Sequence, residues 1–265
     1  MTLTAARGRL TPHLIQGGKT MTATVENNGG RRWSHWRIAA WGTAALLLLL
    51  PLVAMQFTRE VDWDGRDFAV MAVLLSIPCG VFELALRLSD SPAYRAGFGI
   101  AAVAGFLLVW VNLAVGMIGS EDNGYNLWFG AVLATGLVGT LFARFRAAGM
   151  ARTLLAAAVV QGLVSGFALV AGMDLLGALL SSFWILFWLA AARCFHYATD
   201  ERRTRTEQRL QVHALLSMLA MGLGALLLGV MIGVEGAPGL LPLAMILGGA
   251  GWYVVTRYRR RLAAT

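Results

Sequence analysis

The 265-residue chain has little charge, two cysteines and six prolines, and it lacks the short signatures that mark a hydrolytic enzyme. Charged residues are 14% of the total against 58% hydrophobic, a balance that excludes an ordinary soluble domain and places the chain in a bilayer. Apolar spans of about 20 residues with short connections use nearly the whole length, so no sizeable soluble domain fits beside them. Cys79 falls inside a span and Cys194 at a helix end. They lie too far apart in depth to pair, so both read as packing residues and indicate no redox compartment. There is no H-E-x-x-H, no G-x-S-x-G and no pair of intramembrane aspartates, hence no visible nucleophile or metal for hydrolysis. A phosphate-cradling loop is also missing, which excludes ATP coupling within this chain.

What is present is a series of apolar runs, at about 38–57, 68–86, 96–118, 127–141, 154–171, 175–192, 215–234 and 240–255. They predict an all-α polytopic membrane helix bundle of eight transmembrane helices, six plus two. Residues 1–36 read as a disordered cytoplasmic tail, with Met21 as an alternative start, and 37–197 as a six-span bundle. Residues 198–212 read as a charged cytoplasmic loop and 213–265 as a two-span hairpin with a basic end. The first run follows Arg31, Arg32 and Arg37, exceeds a signal-peptide core in length and has no clean cleavage site, so it reads as an uncleaved anchor. Pro78 and Gly80 predict a kink in the second span, and Gly162 and Gly166 a close helix approach in the fifth.

Alternation through these spans gathers 20 of the 22 basic residues on one side and leaves Arg59 and Arg66 on the other. In a soluble protein a net charge of +8 would point to nucleic acid. Here the arginines sit in short loops beside apolar spans, where they fix orientation. Nucleic-acid binding is set aside and both termini are expected in the cytoplasm. The expected surroundings are a lipid bilayer and, as partner, another membrane protein or a second copy of the chain. No cofactor is expected: His35, His196 and His213 lie near helix ends, none opposite another at mid-depth.

The candidate functional residues are polar ones in or beside spans. Glu83 is the only acid well inside a span, where a carboxylate is costly, and Arg87 stands four residues on, at ion-pair spacing. Asn112, Gly116 and Gly119 share a stripe if the third helix runs to Ile118, and Asn112 could then bond across to the helix carrying Gln161. Glu121, Asp122 and Asn123 crowd the outer mouth of that span, where Asp122 or Asn123 would also cap the fourth helix. Asp62-Trp63-Asp64 is a D-x-D, but its loop of about ten residues is too short for the extracytoplasmic region of a lipid-linked glycosyltransferase. The charged run 200–209 could continue helically out of the membrane to meet anionic lipid or a protein partner, but it reads first as a solvated loop that enforces topology.

The segment containing Asn112, Gly116, Gly119, Ser120, Glu121, Asp122 and Asn123 resembles an uncharacterised family of small bacterial inner-membrane proteins, over about residues 38–192. The chain has Gly124-Tyr125 where that family has Pro-Ala. The resemblance implies a bacterial inner membrane and no particular chemistry. The last hairpin, entered through Asp200-Glu201-Arg202, resembles separate two-span proteins of unknown function. Three classes of function follow, in order of weight: a scaffold or accessory subunit, a small-solute or proton-coupled carrier using Glu83, Asn112 and Gln161, and a lipid-active enzyme.

Overall fold

A computed structural model describes residues 28–59, 61–200, 204–235 and 239–262, without the side chains of 28–36 and 232–235. The expected tail therefore lies outside the described residues as far as residue 27. All regular structure among the described residues is helical: α1 (Asn28–Ala54), α2 (Gly65–Leu88), α3 (Pro92–Ala114), a 3-10 turn (Gly124–Trp128), α4 (Phe129–Ala143), α5 (Ala147–Val170), α6 (Leu175–Ser182), α7 (Trp184–Thr199), α8 (Arg205–Glu235) and α9 (Leu240–Leu262). The 3-10 turn continues into α4 and α6 into α7, which makes eight units long and apolar enough to cross a membrane. The chain is an integral membrane protein, built as an all-α polytopic bundle.

Local chemistry sets the helix ends. Asp64 accepts hydrogen bonds from the amides of Arg66 (2.7 Å) and Asp67 (3.0 Å), while the Asp67 carboxylate accepts from the Asp64 amide (2.9 Å). This reciprocal cap starts α2 and gives the second acid of the D-x-D a structural task. Ser91 caps α3, with Pro92 in its first turn, where a missing N–H costs nothing. Helix α3 stops at Ala114, four residues short of the expected span. The cause is Gly116, whose φ of 75° puts it in the left-handed region and lets its amide close on the Val111 carbonyl at 3.1 Å. A Cβ there would strike the Ser120 backbone, so only glycine serves. Pro78 lies within α2, and the charged run resumes as helix from Arg205.

Helices α3, α5 and α7 form the centre: α7 packs against both of the others, α4 flanks α5, and α2 flanks α3. Helix α1 leans mainly on α2, while α8 and α9 pair closely and meet the body through α3 and α7. Leu108, Phe129, Cys194 and Phe195 are fully buried in the core. At the arginine-rich end, Phe195 meets Tyr94 and Phe98 edge-on, each with ring centroids 5.2 Å apart. Gly97 permits this, since a Cβ there would stand 2.8 Å from the Phe195 ring. The Tyr94 hydroxyl donates to the Phe145 carbonyl (2.7 Å) and so pins the α4–α5 connection, where Arg144 and Phe145 both have positive φ. Outward faces bear Leu46, Leu137, Phe142, Leu163 and Leu247, as lipid contact requires.

Candidate functional site

Three polar constellations interrupt this apolar body. The first surrounds Glu83, which lies one turn from the arginine-rich end of α2. Its carboxylate meets Arg37 of α1 at 2.6 Å and Arg87 at 3.0 Å. The i,i+4 pair is the one its spacing predicts; the Arg37 partner, on the preceding helix, is tertiary and invisible to local spacing. Near it, the Cys79 thiol stands 3.7 Å from the Ala40 carbonyl, so α1 and α2 touch through few groups, of which the ion pair is the strongest.

The second constellation closes the acidic end. With α3 ended at Ala114, residues 115–123 form an irregular turn that a single amide organises. Asn126 is buried; its Oδ1 accepts from the Met117 (3.1 Å) and Ile118 (2.8 Å) amides, and its Nδ2 donates to the Ile118 (3.3 Å) and Ser120 (2.8 Å) carbonyls. These are backbone groups that no helix can satisfy, so one side chain replaces the missing ladder. Asp174 ties in the next connection: it caps α6 through the Gly177 amide (3.1 Å) and accepts from Gly119 (3.0 Å), which has a φ of 71°. The Gly119 amide, followed by that of Gly177, holds the Asp174 carboxyl below the usual carboxylate range. Asn123 caps the 3-10 turn through the Tyr125 amide (3.0 Å) and donates to Ile118 (3.0 Å). Tyr125 donates its hydroxyl to the Val164 carbonyl of α5 (2.6 Å) and stacks on Phe167. Glu121 and Asp122 are exposed on the rim of this knot.

The third constellation lies deep in α5. Gln161 is fully buried; its Nε2 donates to the Ser181 carbonyl (3.0 Å) and sits 3.4 Å from the Ser165 hydroxyl, which meets the Ser181 hydroxyl at 2.8 Å. The reason for the cluster is the break in the sixth span between α6 and α7. Around Phe183 the ladder shifts to i,i+3 bonds, Phe183 to Leu180 (3.1 Å) and Leu186 to Phe183 (3.0 Å), and frees carbonyls that the amide takes up. Because Ser181 offers a carbonyl, the Gln161 nitrogen must face it, which fixes the amide's orientation. Its Oε1 is then buried with no partner, as is the Trp188 indole N–H. Beside the break, Trp184 donates to the Ala104 carbonyl of α3 (3.0 Å).

The structure does not bring the sequence-selected residues into one site. The helical stripe of Asn112, Gly116 and Gly119 dissolves because both glycines belong to the turn, and the Asn112 Nδ2 donates to the Leu108 carbonyl of its own helix (2.7 Å) rather than toward Gln161. Of the fifth-span glycines, Gly162 faces Ile185 at 3.5 Å while Gly166 faces open space. Cys194 is buried and His196 exposed, on different faces of α7, and His213 lies against Trp252. Both cysteines are free. Sequence reasoning missed Asn126, Asp174 as a cross-loop tie, Ser165 and Ser181. Only the Gln161–Ser165 spacing of four was a readable signal. No family model matches the chain, and no curated protein or solved structure matches it either.

Proposed function

We propose that this chain is a non-enzymatic scaffold or accessory subunit of a bacterial inner membrane, with both termini cytoplasmic as the arginine distribution favours. The observation that carries the reading is that the polar residues suited to a transport path are separately engaged within the fold. Glu83 is held by two arginines, Asn112 bonds its own helix, and Gln161 bridges α5 to α6. A carboxylate that bridges two guanidinium groups is committed to holding α1 against α2 rather than left facing an open path. The large apolar outer faces and the loosely attached α1 suit a subunit that meets neighbours laterally.

The test is single-cysteine labelling at positions 83, 112 and 161 and their neighbours, in a Cys79/Cys194-free background in intact cells. Dry, unreactive positions through the middle of the bundle are the expected result; water access continuing from face to face would overturn the scaffold reading. One observation favours a small-solute carrier instead: the unpartnered Oε1 of Gln161 beside a broken helix, an arrangement that transporters use near mid-depth. On that reading Glu83→Gln abolishes flux with stability intact, whereas a scaffold registers the change mainly as a looser α1.

A further inference from the structure

The seam between the six-span body and the C-terminal hairpin holds a groove of about 440 Å³. One wall is the α3 stripe Ala96, Gly99 and Val103, the other Leu216, Leu219 and Leu223 of α8. Phe82, Phe187 and Met245 form its remaining sides, and a single charged side chain, Arg95, stands at one end. From Arg95 to Val103 the groove follows eight residues of helix, about 12 Å, close to the depth of one leaflet of a hydrocarbon core of about 30 Å. It starts at the arginine-rich end. There the Arg95 guanidinium donates to the Ser89 carbonyl (2.7 Å), the Leu86 carbonyl (3.4 Å) and Asp90 (2.8 Å), Arg205 approaches the same aspartate at 4.0 Å, and Arg87 lies on the adjoining turn of α2. Ser91 and Gln208, joined at 2.7 Å, hold α3 and α8 together at this level, so the groove is framed by a tie at the mouth rather than by a loose gap.

We infer that this groove is a phospholipid site for the leaflet on the arginine-rich side, taking one acyl chain between α3 and α8 and the phosphodiester at Arg95. Three features select this occupant. The lining is apolar but for Arg95, the open length is close to one leaflet, and that positive charge stands at the level where a lipid is negative. A guanidinium already oriented by three protein oxygens meets a phosphate with little further loss of side-chain freedom. Glycine at position 99 keeps the wall hollow: a Cβ there would sit 3.8 Å from the Phe82 ring, in ordinary contact, so a larger side chain fills the groove without colliding with backbone. The inference holds whether the chain is a scaffold or a carrier.

The test uses the full-length protein, reconstituted in vesicles of phosphatidylcholine with one-fifth phosphatidylglycerol, extracted in mild detergent and weighed intact by native mass spectrometry. The wild type should retain one phosphatidylglycerol. Gly99→Leu should lose it, Arg95→Gln should lose the preference for phosphatidylglycerol over phosphatidylcholine, and Gly130→Leu, which adds the same bulk at an open face of α4, should retain it. Equal retention by wild type and Gly99→Leu overturns the inference, as does a wild type that carries no lipid. A dimer that Gly99→Leu dissociates would overturn it too, by giving the groove to a second copy. If Gly99→Leu does not fold, a phosphatidylglycerol with a photoreactive acyl chain decides on the wild type alone: attachment confined to residues 96–103 and 216–223 supports the site, and attachment spread evenly around the bundle refutes it.

Discussion

The six-span body and the C-terminal hairpin are made from equally apolar sequence, yet different interactions hold them. The body is locked at both ends by polar side chains that reach across connections: Tyr94 to Phe145 on the arginine-rich side, Asn126 and Asp174 on the acidic side. Between these locks, Gln161 spans α5 and α6. The hairpin relies on close backbone approach. A Cβ on Gly224 would come within 2.9 Å of the Pro242 carbonyl, and one on Gly249 within 2.6 Å of Met221 and 3.0 Å of the Ser217 carbonyl. In lipid, where burial of apolar surface gives helices little reason to associate, these are the two available devices: hydrogen bonds between elements and small residues at the contact. The body uses both, since a Cβ on Gly97 or Gly149 would come within 3.0 Å of Phe195 or Ala143, whereas small-residue contact predominates between α8 and α9, beside one side-chain hydrogen bond from Arg260 to Gln211 (3.3 Å). The difference implies that the hairpin can loosen while the body stays folded.

The sharpest way to break the body is at its densest lock. Asn126→Ala removes four hydrogen bonds and strands the Met117 and Ile118 amides where no helix can take them, while the Ile118 and Ser120 carbonyls keep only their bonds from Asn123. At about 1 kcal/mol per bond the expected loss is roughly 4 kcal/mol, read as the largest fall in thermal midpoint of any single substitution considered. An unchanged midpoint would show that the irregular turn does not depend on this amide.

Gly249→Leu attacks the hairpin alone. Overpacking against Met221 and the Ser217 carbonyl should cost about 2 kcal/mol and force α8 and α9 apart. Hydrogen exchange should then rise in 205–262 and remain slow in α3, α5 and α7. If protection falls throughout, the two regions form one cooperative unit and the hairpin does not loosen by itself. A smaller effect comes from Tyr94→Phe, which deletes one hydroxyl and leaves the aromatic cluster in place. About 1 kcal/mol should be lost, and exchange should quicken at 144–146, where two successive non-glycine residues with positive φ depend on that hydroxyl.

The sequence made the eight spans legible because length and hydropathy decide whether a segment crosses a bilayer, and neither depends on tertiary detail. The same rule misjudged α3: residues 115–118 are apolar enough to continue it, but Gly116 ends the helix through backbone geometry that hydropathy does not register. Glu83–Arg87 was readable as local spacing, whereas Arg37 entered the cluster through packing of α1 on α2. Asn126 was passed over because an asparagine near a glycine reads as a turn former, and its four partners exist only once the turn has closed. Ser165 and Ser181 looked like ordinary small residues. What singles them out is the break beside Phe183, and nothing in the composition of that run announces a break.

Asp174 supplies the finest discrimination, through pH. Two amides, Gly119 first and Gly177 second, favour its charged form in the folded protein, so its carboxyl titrates below the unfolded value of about 3.9. A depressed folded value means that the stabilisation is fully present above the unfolded value and is lost as pH falls through the folded one. The thermal midpoint of the wild type should therefore decline below about pH 4 more steeply than that of Asp174→Asn, which lacks the titrating group. At neutral pH the variant should cost only about 0.5 kcal/mol, since the cap lies at a solvated end of the bundle where screening weakens it. Parallel acid profiles for the two proteins would mean that the Gly119 tie contributes nothing, and that Asn126 alone closes the acidic end of the body.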